Sequence, residues 1–208
     1  MKIIKNSYYW NNFYKNFLLK KESSFARYVF KKIKYKKRAK ILDIACGNGR
    51  DTFFFLNKGF DIKGLDISKT AIKINKKFYP NNFFLKNICS KKFYIQKKYD
   101  FIYCRFFLHT INENDEDIFF KNLKKISDKK TIIFLEFRTT KDPLMKKGLL
   151  ISKNERFFTH YRRFINTKNL VKKIMILNFN ILKISASFNY ALFDKQRPHI
   201  CRLIIKLK

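Results

Sequence analysis

Residues 39–68 open with Ala-Lys-Ile-Leu-Asp-Ile-Ala-Cys-Gly-Asn-Gly-Arg-Asp and close on Ile-Lys-Gly-Leu-Asp-Ile-Ser. An apolar run (Ile41, Leu42, Ile44) ends in a loop of small residues, Ala45-Cys46-Gly47-Asn48-Gly49. A helix-like segment follows, then a short second strand from Asp61 to Leu65, closed by Asp66. This order predicts one βαβ unit built around a nucleoside. Glycines let the backbone approach a ligand closely, and an acid at the tip of the second strand can accept both ribose hydroxyls. Asp66 follows Gly49 by 17 residues, near the roughly 20 expected of a ribose-binding acid.

A dinucleotide site is the first alternative. It needs G-x-G-x-x-G and a helix start that receives a pyrophosphate. The loop here reads D-x-A-x-G-x-G, with Asp43 in front of it. A carboxylate there repels a pyrophosphate and suits the ammonium of an amino-acid group. These residues resemble motif I of the class I S-adenosylmethionine-dependent methyltransferases, D/E-x-G-x-G-x-G, with Ala45 replacing the first glycine. The resemblance implies that Asp43, Ala45, Cys46, Gly47, Asn48 and Gly49 cradle S-adenosyl-L-methionine, and that Asp66, followed by Ile67, binds its ribose. It also implies an α/β fold, a Rossmann-like seven-stranded, mostly parallel sheet with helices on both faces and a C-terminal antiparallel hairpin.

The rest of the chain fits that outline. Strands are expected near 40–45, 61–65, 82–86, 99–104 and 131–137, alternating with helical segments near 48–58, 69–78 and 114–127, the pattern of a parallel sheet. Within 167–177, Leu170, Val171, Ile174 and Leu177 mark a helix face. Two apolar runs, 179–188 and 200–207, flank a polar turn at 194–198 and read as an antiparallel pair. The segment 138–166 is the least regular. We read 1–208 as a single domain, with 1–38 as an aromatic, basic helical cover and 39–208 as the Rossmann-like core; 208 residues suffice for one such core.

Composition is extreme: 48 Lys+Arg against 15 Asp+Glu gives a net charge of +33. Nucleic-acid binding is one reading, because lysines that neutralise phosphates release counterions. An AT-rich genome is the other, since Lys, Ile, Asn, Phe and Tyr are abundant, Gly (5) and Pro (3) are scarce, and the lysines are spread along the whole chain. Cys46, Cys89, Cys104 and Cys201 form no C-x-x-C pair and read as buried thiols in a reducing compartment. The N-terminus lacks the apolar core of a signal peptide, and no apolar run approaches 18 residues. The expected setting is cytoplasmic, with no membrane span.

Methyl transfer is an in-line displacement at an activated carbon, so the protein must mainly align the acceptor, and no metal is required. Asn87-Ile88 follows the third strand, where family members cover the adenine; a polar loop residue is the alternative. Cys104 and the following Arg105-Phe-Phe-Leu-His109 leave the fourth strand, beside the acceptor in the family. This segment is not N/D-P-P-Y/F, which counts against amino-directed base methylation. His109 suits a neutral-pH base or caps the next helix. Arg105 holds an acidic substrate group or pairs with Asp100 or Glu136. Glu136-Phe-Arg138 ends the fifth strand, facing the cleft or the surface. His160-Tyr161-Arg162-Arg163 reads as an anion-recognition element, since guanidinium forks match phosphate and carboxylate, or as one more basic patch. In the scheme favoured here Arg105, Arg162 and Arg163 bind a phosphoryl group and His109 or His160 takes a proton. Tyr8-Tyr9-Trp10 and Glu22 to Ala26 sit in helices that would cover the cofactor's methionine end, and hydrophobic packing of the aromatics onto the sheet is the alternative that accounts for them more simply.

These short segments resemble small bacterial methyltransferases of surface-polysaccharide biosynthesis, including those associated with capsular O-methyl phosphoramidate groups. The resemblance implies O-methylation of a small anionic metabolite. An RNA methyltransferase and a non-catalytic cofactor-binding subunit are the alternatives. No motif specifies an oligomeric state.

Overall fold

The computed structural model describes residues 6–16, 21–36, 38–96, 98–192 and 196–208. The basic N-terminal stretch weighed as a signal peptide lies, apart from Asn6, outside the described residues, as do Asp194 and Lys195 of the expected polar turn.

Two helices, α1 (Asn6–Asn16) and α2 (Ser24–Ile33), precede the core. Then β1 (Lys40–Ile44), α3 (Arg50–Asn57), β2 (Asp61–Asp66), α4 (Lys69–Lys76), β3 (Phe83–Leu85), β4 (Phe101–Arg105), α5 (Glu113–Ile126) and β5 (Ile132–Arg138) alternate as the sequence predicts. The main sheet has seven strands in the order β3-β2-β1-β4-β5-β10-β9. The first five are parallel. The last strand, β10 (Ile200–Leu207), runs antiparallel to both β5 and β9 (Phe179–Ser187). Helix α6 (Thr167–Ile176) leads into β9.

Both faces of the sheet are covered, and the period-2 alternation of each strand assigns the residues to a face. Leu42, Ile44, Ile102, Cys104, Ile133 and Leu135 pack under α5 and α6 residues such as Phe119, Leu123 and Ile174. Their neighbours Ile41, Phe101, Tyr103 and Phe134 pack with Phe25, Val29 and Phe55 of α2 and α3. Close packing extends to β2, where a Cβ on Gly64 would stand 2.9 Å from both Cys46 Sγ and the Phe83 ring. All four cysteines are buried. No described helix is long and apolar enough to cross a membrane.

One expectation fails. The segment 138–166 is largely regular: β6 (Leu149–Ser152), β7 (Glu155–Phe158) and β8 (His160–Arg163) form an antiparallel meander. Its strands are four residues each, too short to show alternation, and its turns use positive φ at Gly148 and Thr159.

Candidate active site

The glycine loop is held open by backbone conformation. Ala45, Gly47 and Gly49 all have positive φ (59°, 53° and 74°), and Gly49 caps the start of α3. An L-residue in that region costs roughly 1–2 kcal/mol, so Ala45 is a strained stand-in for glycine. The loop is clamped from outside: Asn75 Nδ2 donates to the Gly47 carbonyl (2.8 Å) and the Gly47 N–H donates to Asp66 Oδ2 (2.8 Å). The Ser68 N–H donates to the other Asp66 oxygen (2.8 Å). Burial pushes the Asp66 carboxyl up, and the N–H groups of Ser68, Gly47 and Ile67 pull it back. Asp43, behind the loop, accepts from Thr52 Oγ1 (2.6 Å) and is likewise raised by burial.

Asp43, Asp66 and the loop from Ala45 to Asn48 line a cleft of about 700 Å³ at the C-terminal ends of the parallel strands, where open α/β sheets bind ligands. Of the residues named from sequence, Asp43, Ala45, Cys46, Gly47, Asn48, Asp66, Ile67, Ile88, Arg105 and Arg138 line it. Gly49 shapes the loop from behind. Asn87 is an exposed turn residue whose Oδ1 accepts from the Cys89 N–H (2.9 Å), and Cys104 is buried on the far face of the sheet.

At the mouth of β4, Arg105 Nε donates to Glu136 Oε1 (2.9 Å) and its guanidinium stacks 3.9 Å from the Phe106 ring. Glu136 is buried, not at the surface, and its second oxygen accepts from Arg202 Nε (2.8 Å). Arg138 pairs with buried Asp142 (2.8 Å), and its guanidinium lies 5.7 Å from the same Phe106 ring. Phe106 carries φ 55°, a strain of the kind that persists where the surroundings impose it.

The histidines depart from expectation. His109 is buried outside the cleft lining, and its Nδ1 accepts the Arg138 N–H (3.3 Å), which leaves the proton on Nε2. Burial first, then the charges of Arg138, Arg162, His160 and Arg105, hold its imidazole well below the ordinary value. A base with its lone pair already engaged and its pKa depressed is a poor proton acceptor. His160 packs on the Tyr9 and Trp10 rings (4.6 and 5.1 Å) and is pushed down to about 3 by burial and the arginines near it. The anion-recognition reading of β8 fails for Arg163. Its donors go to Glu116 and to the Ile111 carbonyl (3.0 Å), with Glu113 at 3.7 Å. Tyr161 donates to Glu155 (2.5 Å), and Arg162 donates to the Phe158 carbonyl (2.5 Å); none of the four β8 residues lines the cleft.

A family model for a methyltransferase domain matches residues 16–183. The chain belongs to this methyltransferase family. An S-adenosylmethionine-dependent methyltransferase from Clostridium acetobutylicum superposes with a TM-score of 0.68 at 15% identity, covering 88% of this chain and 91% of that one. The glycopeptide N-methyltransferase MtfA, solved with S-adenosyl-L-methionine, gives 0.68 at 13%, covering 90% and 95%. The 1,6-didemethyltoxoflavin N1-methyltransferase of Burkholderia thailandensis gives 0.65 at 12%, covering 88% and 76%. The search of curated proteins returns no match.

The methyltransferase takes S-adenosyl-L-methionine as its cofactor, and the cleft fits it. A Cβ on Gly47 would collide with the Tyr14 hydroxyl, so the glycine keeps the loop low where a ligand must lie. Sequence reasoning missed several cleft residues of this methyltransferase. Phe13 and Tyr14 arrive from α1. Arg50 and Asp51 open α3; Asp51 accepts from the Ser23 N–H (2.7 Å), Ser23 Oγ (2.8 Å) and the Tyr103 hydroxyl (2.7 Å), tying α2 to the cleft floor. Arg50 alone had a legible signal, directly after the last glycine.

Proposed function

We propose that this methyltransferase methylates an oxygen of a small anionic acceptor, phosphorylated or sugar-linked. The observation that carries the reading is the cluster of Arg50, Arg105 and Arg138 in one cleft. Burial first, then the neighbouring charge of Arg105, holds the Arg50 guanidinium below its ordinary value, and a bound anion favours the charged form. When bound, the cofactor supplies a methyl carbon on a sulfonium that departs with its bonding pair, so an oxygen that is already negative needs no proton removed. Arg105 and Arg138 would hold the acceptor's charge from two sides of Phe106. Glu136 and Asp142 orient those guanidiniums. The α1 aromatics would exclude water.

The resemblance in Arg105 to His109 and in Glu136 to Arg138 favours a cytoplasmic step of surface-polysaccharide biosynthesis, carried out by a single domain with residues 1–38 as its cover. The test is labelled methyl transfer to a panel of sugar phosphates, simple carboxylates, primary amines and RNA. Label on phosphate or carboxylate oxygens, at a rate flat from pH 6 to 9, is the expected result. Label confined to amines or RNA would overturn the proposal.

A further inference from the structure

No residue of β6, β7 or β8 lines the cleft, and the outermost of these strands, β6, reads Leu149-Leu150-Ile151-Ser152 with all four residues exposed. Leu149 is 56% exposed, Leu150 63% and Ile151 39%. Successive residues of a strand point to opposite faces, so aliphatic side chains stand bare on both sides of this ribbon at once. The strand is nevertheless firmly held. In its ladder Leu149 stands opposite Phe157 and Leu150 opposite Arg156. Arg156 Nη1 straps the β6–β7 turn by donating to the Ser152 and Glu155 carbonyls (both 2.9 Å), and the exposed Phe158 extends the apolar surface onto β7.

The charge around this strand has one sign. Between Asp142 and Glu155 the chain has Lys146, Lys147 and Lys153, all exposed, and no acid. The two bounding carboxylates are engaged, Asp142 with Arg138 (2.8 Å) and Glu155 with the Tyr161 hydroxyl (2.5 Å). Apolar side chains rimmed by lysines match an anionic bilayer surface, whose acyl boundary takes the leucines while its headgroups meet the ammonium groups. At that depth water still serves the unpaired N–H groups of a strand edge, as it does not in the bilayer core.

Other occupants fit less well. Two copies paired edge to edge about Leu150 would set Lys147 of each chain opposite Lys153 of the other, and like charges directly opposite are destabilising. A folded protein partner covers one face of a ribbon, whereas a fluid lipid boundary covers both. We propose that β6 is a membrane-docking strand that seats the protein on an anionic lipid surface, with Leu149, Leu150 and Ile151 in the acyl boundary and Lys146, Lys147 and Lys153 among the headgroups. The attachment is peripheral and holds whichever acceptor the cleft takes.

The test is co-sedimentation of the full chain, at about 0.15 M salt, with vesicles of phosphatidylcholine alone or mixed with phosphatidylglycerol. Two triple variants separate the strand from the general charge of the chain. Leu149→Ser, Leu150→Ser and Ile151→Ser together leave the net charge of +33 untouched, whereas Lys146→Gln, Lys147→Gln and Lys153→Gln together lower it by only three. The wild-type protein should sediment with the mixed vesicles and not with phosphatidylcholine alone. The serine variant should bind the mixed vesicles about 10–100-fold more weakly, from aliphatic burial lost. The glutamine variant should lose about 10–100-fold as well, from three headgroup contacts. Both sets of side chains are exposed and away from the cleft, so S-adenosylhomocysteine affinity should stay within about 2-fold in each variant. A matching loss there overturns the proposal, because it makes β6 a support of the cleft. Vesicle binding by the serine variant equal to that of the wild type assigns it to net charge alone. A wild-type dimer in sedimentation velocity that the serine variant dissolves assigns the strand to a second copy, and a loss of RNA affinity as large as the loss for vesicles assigns it to nucleic acid. Any of these three results overturns the proposal too.

Discussion

Replacing Glu136 by Gln is the sharpest probe of how the cleft is held. The side chain is fully buried and each oxygen accepts one guanidinium Nε, from Arg105 at 2.9 Å and Arg202 at 2.8 Å. Burial raises its carboxyl while both arginines lower it, and the two guanidinium contacts favour the charged form. Gln has the same shape, keeps one acceptor, turns an N–H₂ toward the other guanidinium and removes the charge. Breaking a buried pair by removing one partner costs about 3–5 kcal/mol. The retained acceptor, and the access of Arg105 to the open cleft, place this case near the lower end, at about 3 kcal/mol. With urea m-values of about 1–3 kcal/mol/M, the unfolding midpoint should fall by about 1–3 M. Arg202→Met and the double variant complete a cycle, with an expected coupling of about 1–3 kcal/mol. A loss under about 1 kcal/mol for Glu136→Gln, with no coupling, would mean that the carboxyl is protonated and the bridge is not ionic.

Asp66→Ala should weaken S-adenosylmethionine binding by about 1–3 kcal/mol by calorimetry, from ribose hydrogen bonds left unmade; unchanged affinity would remove the ribose assignment. Ala45→Val should destabilise by about 2 kcal/mol in urea titrations, because a β-branched residue is forced to positive φ, whereas Ala45→Gly should be neutral or slightly stabilising. The protein should lose stability as pH falls from about 6.5 toward 3. His160 titrates near 3 in the fold and near its ordinary value when unfolded, so the unfolded chain binds the extra proton first. His160→Gln should flatten that part of the stability–pH curve, and an unchanged slope would contradict it.

The βαβ unit and the helix phases were legible because each rests on local periodicity. Strand ends fell within a residue or two: β2 ends at Asp66 itself. What the chain hid is what distant segments supply. Arg163 looks like a ligand-binding arginine until α5 places Glu116, 47 residues earlier, against it. Tyr14 gives no sign of a site because the Gly47 it packs against lies 33 residues further along the chain. The meander escaped notice for a different reason, since four-residue strands leave no period to read. His109 shows the limit of residue type as an argument: an imidazole suits a base, and one backbone N–H on Nδ1 reverses that role.

The antiparallel place of β10 has a consequence for how the molecule is made. On one side β5 pairs with β4; on the other its neighbour is β10, with Ile133 facing Ile205 across 72 residues of chain. At about 5–20 residues per second, a ribosome needs roughly 4–14 s to supply that partner. Through that interval the nascent sheet presents an unpaired edge bearing Ile133, Leu135 and Phe137, the kind of edge that recruits other chains. The speed at which residues 139–205 are translated therefore sets how long the edge is open. Synonymous codon changes that slow this stretch should lower soluble yield while leaving every residue of the product unchanged.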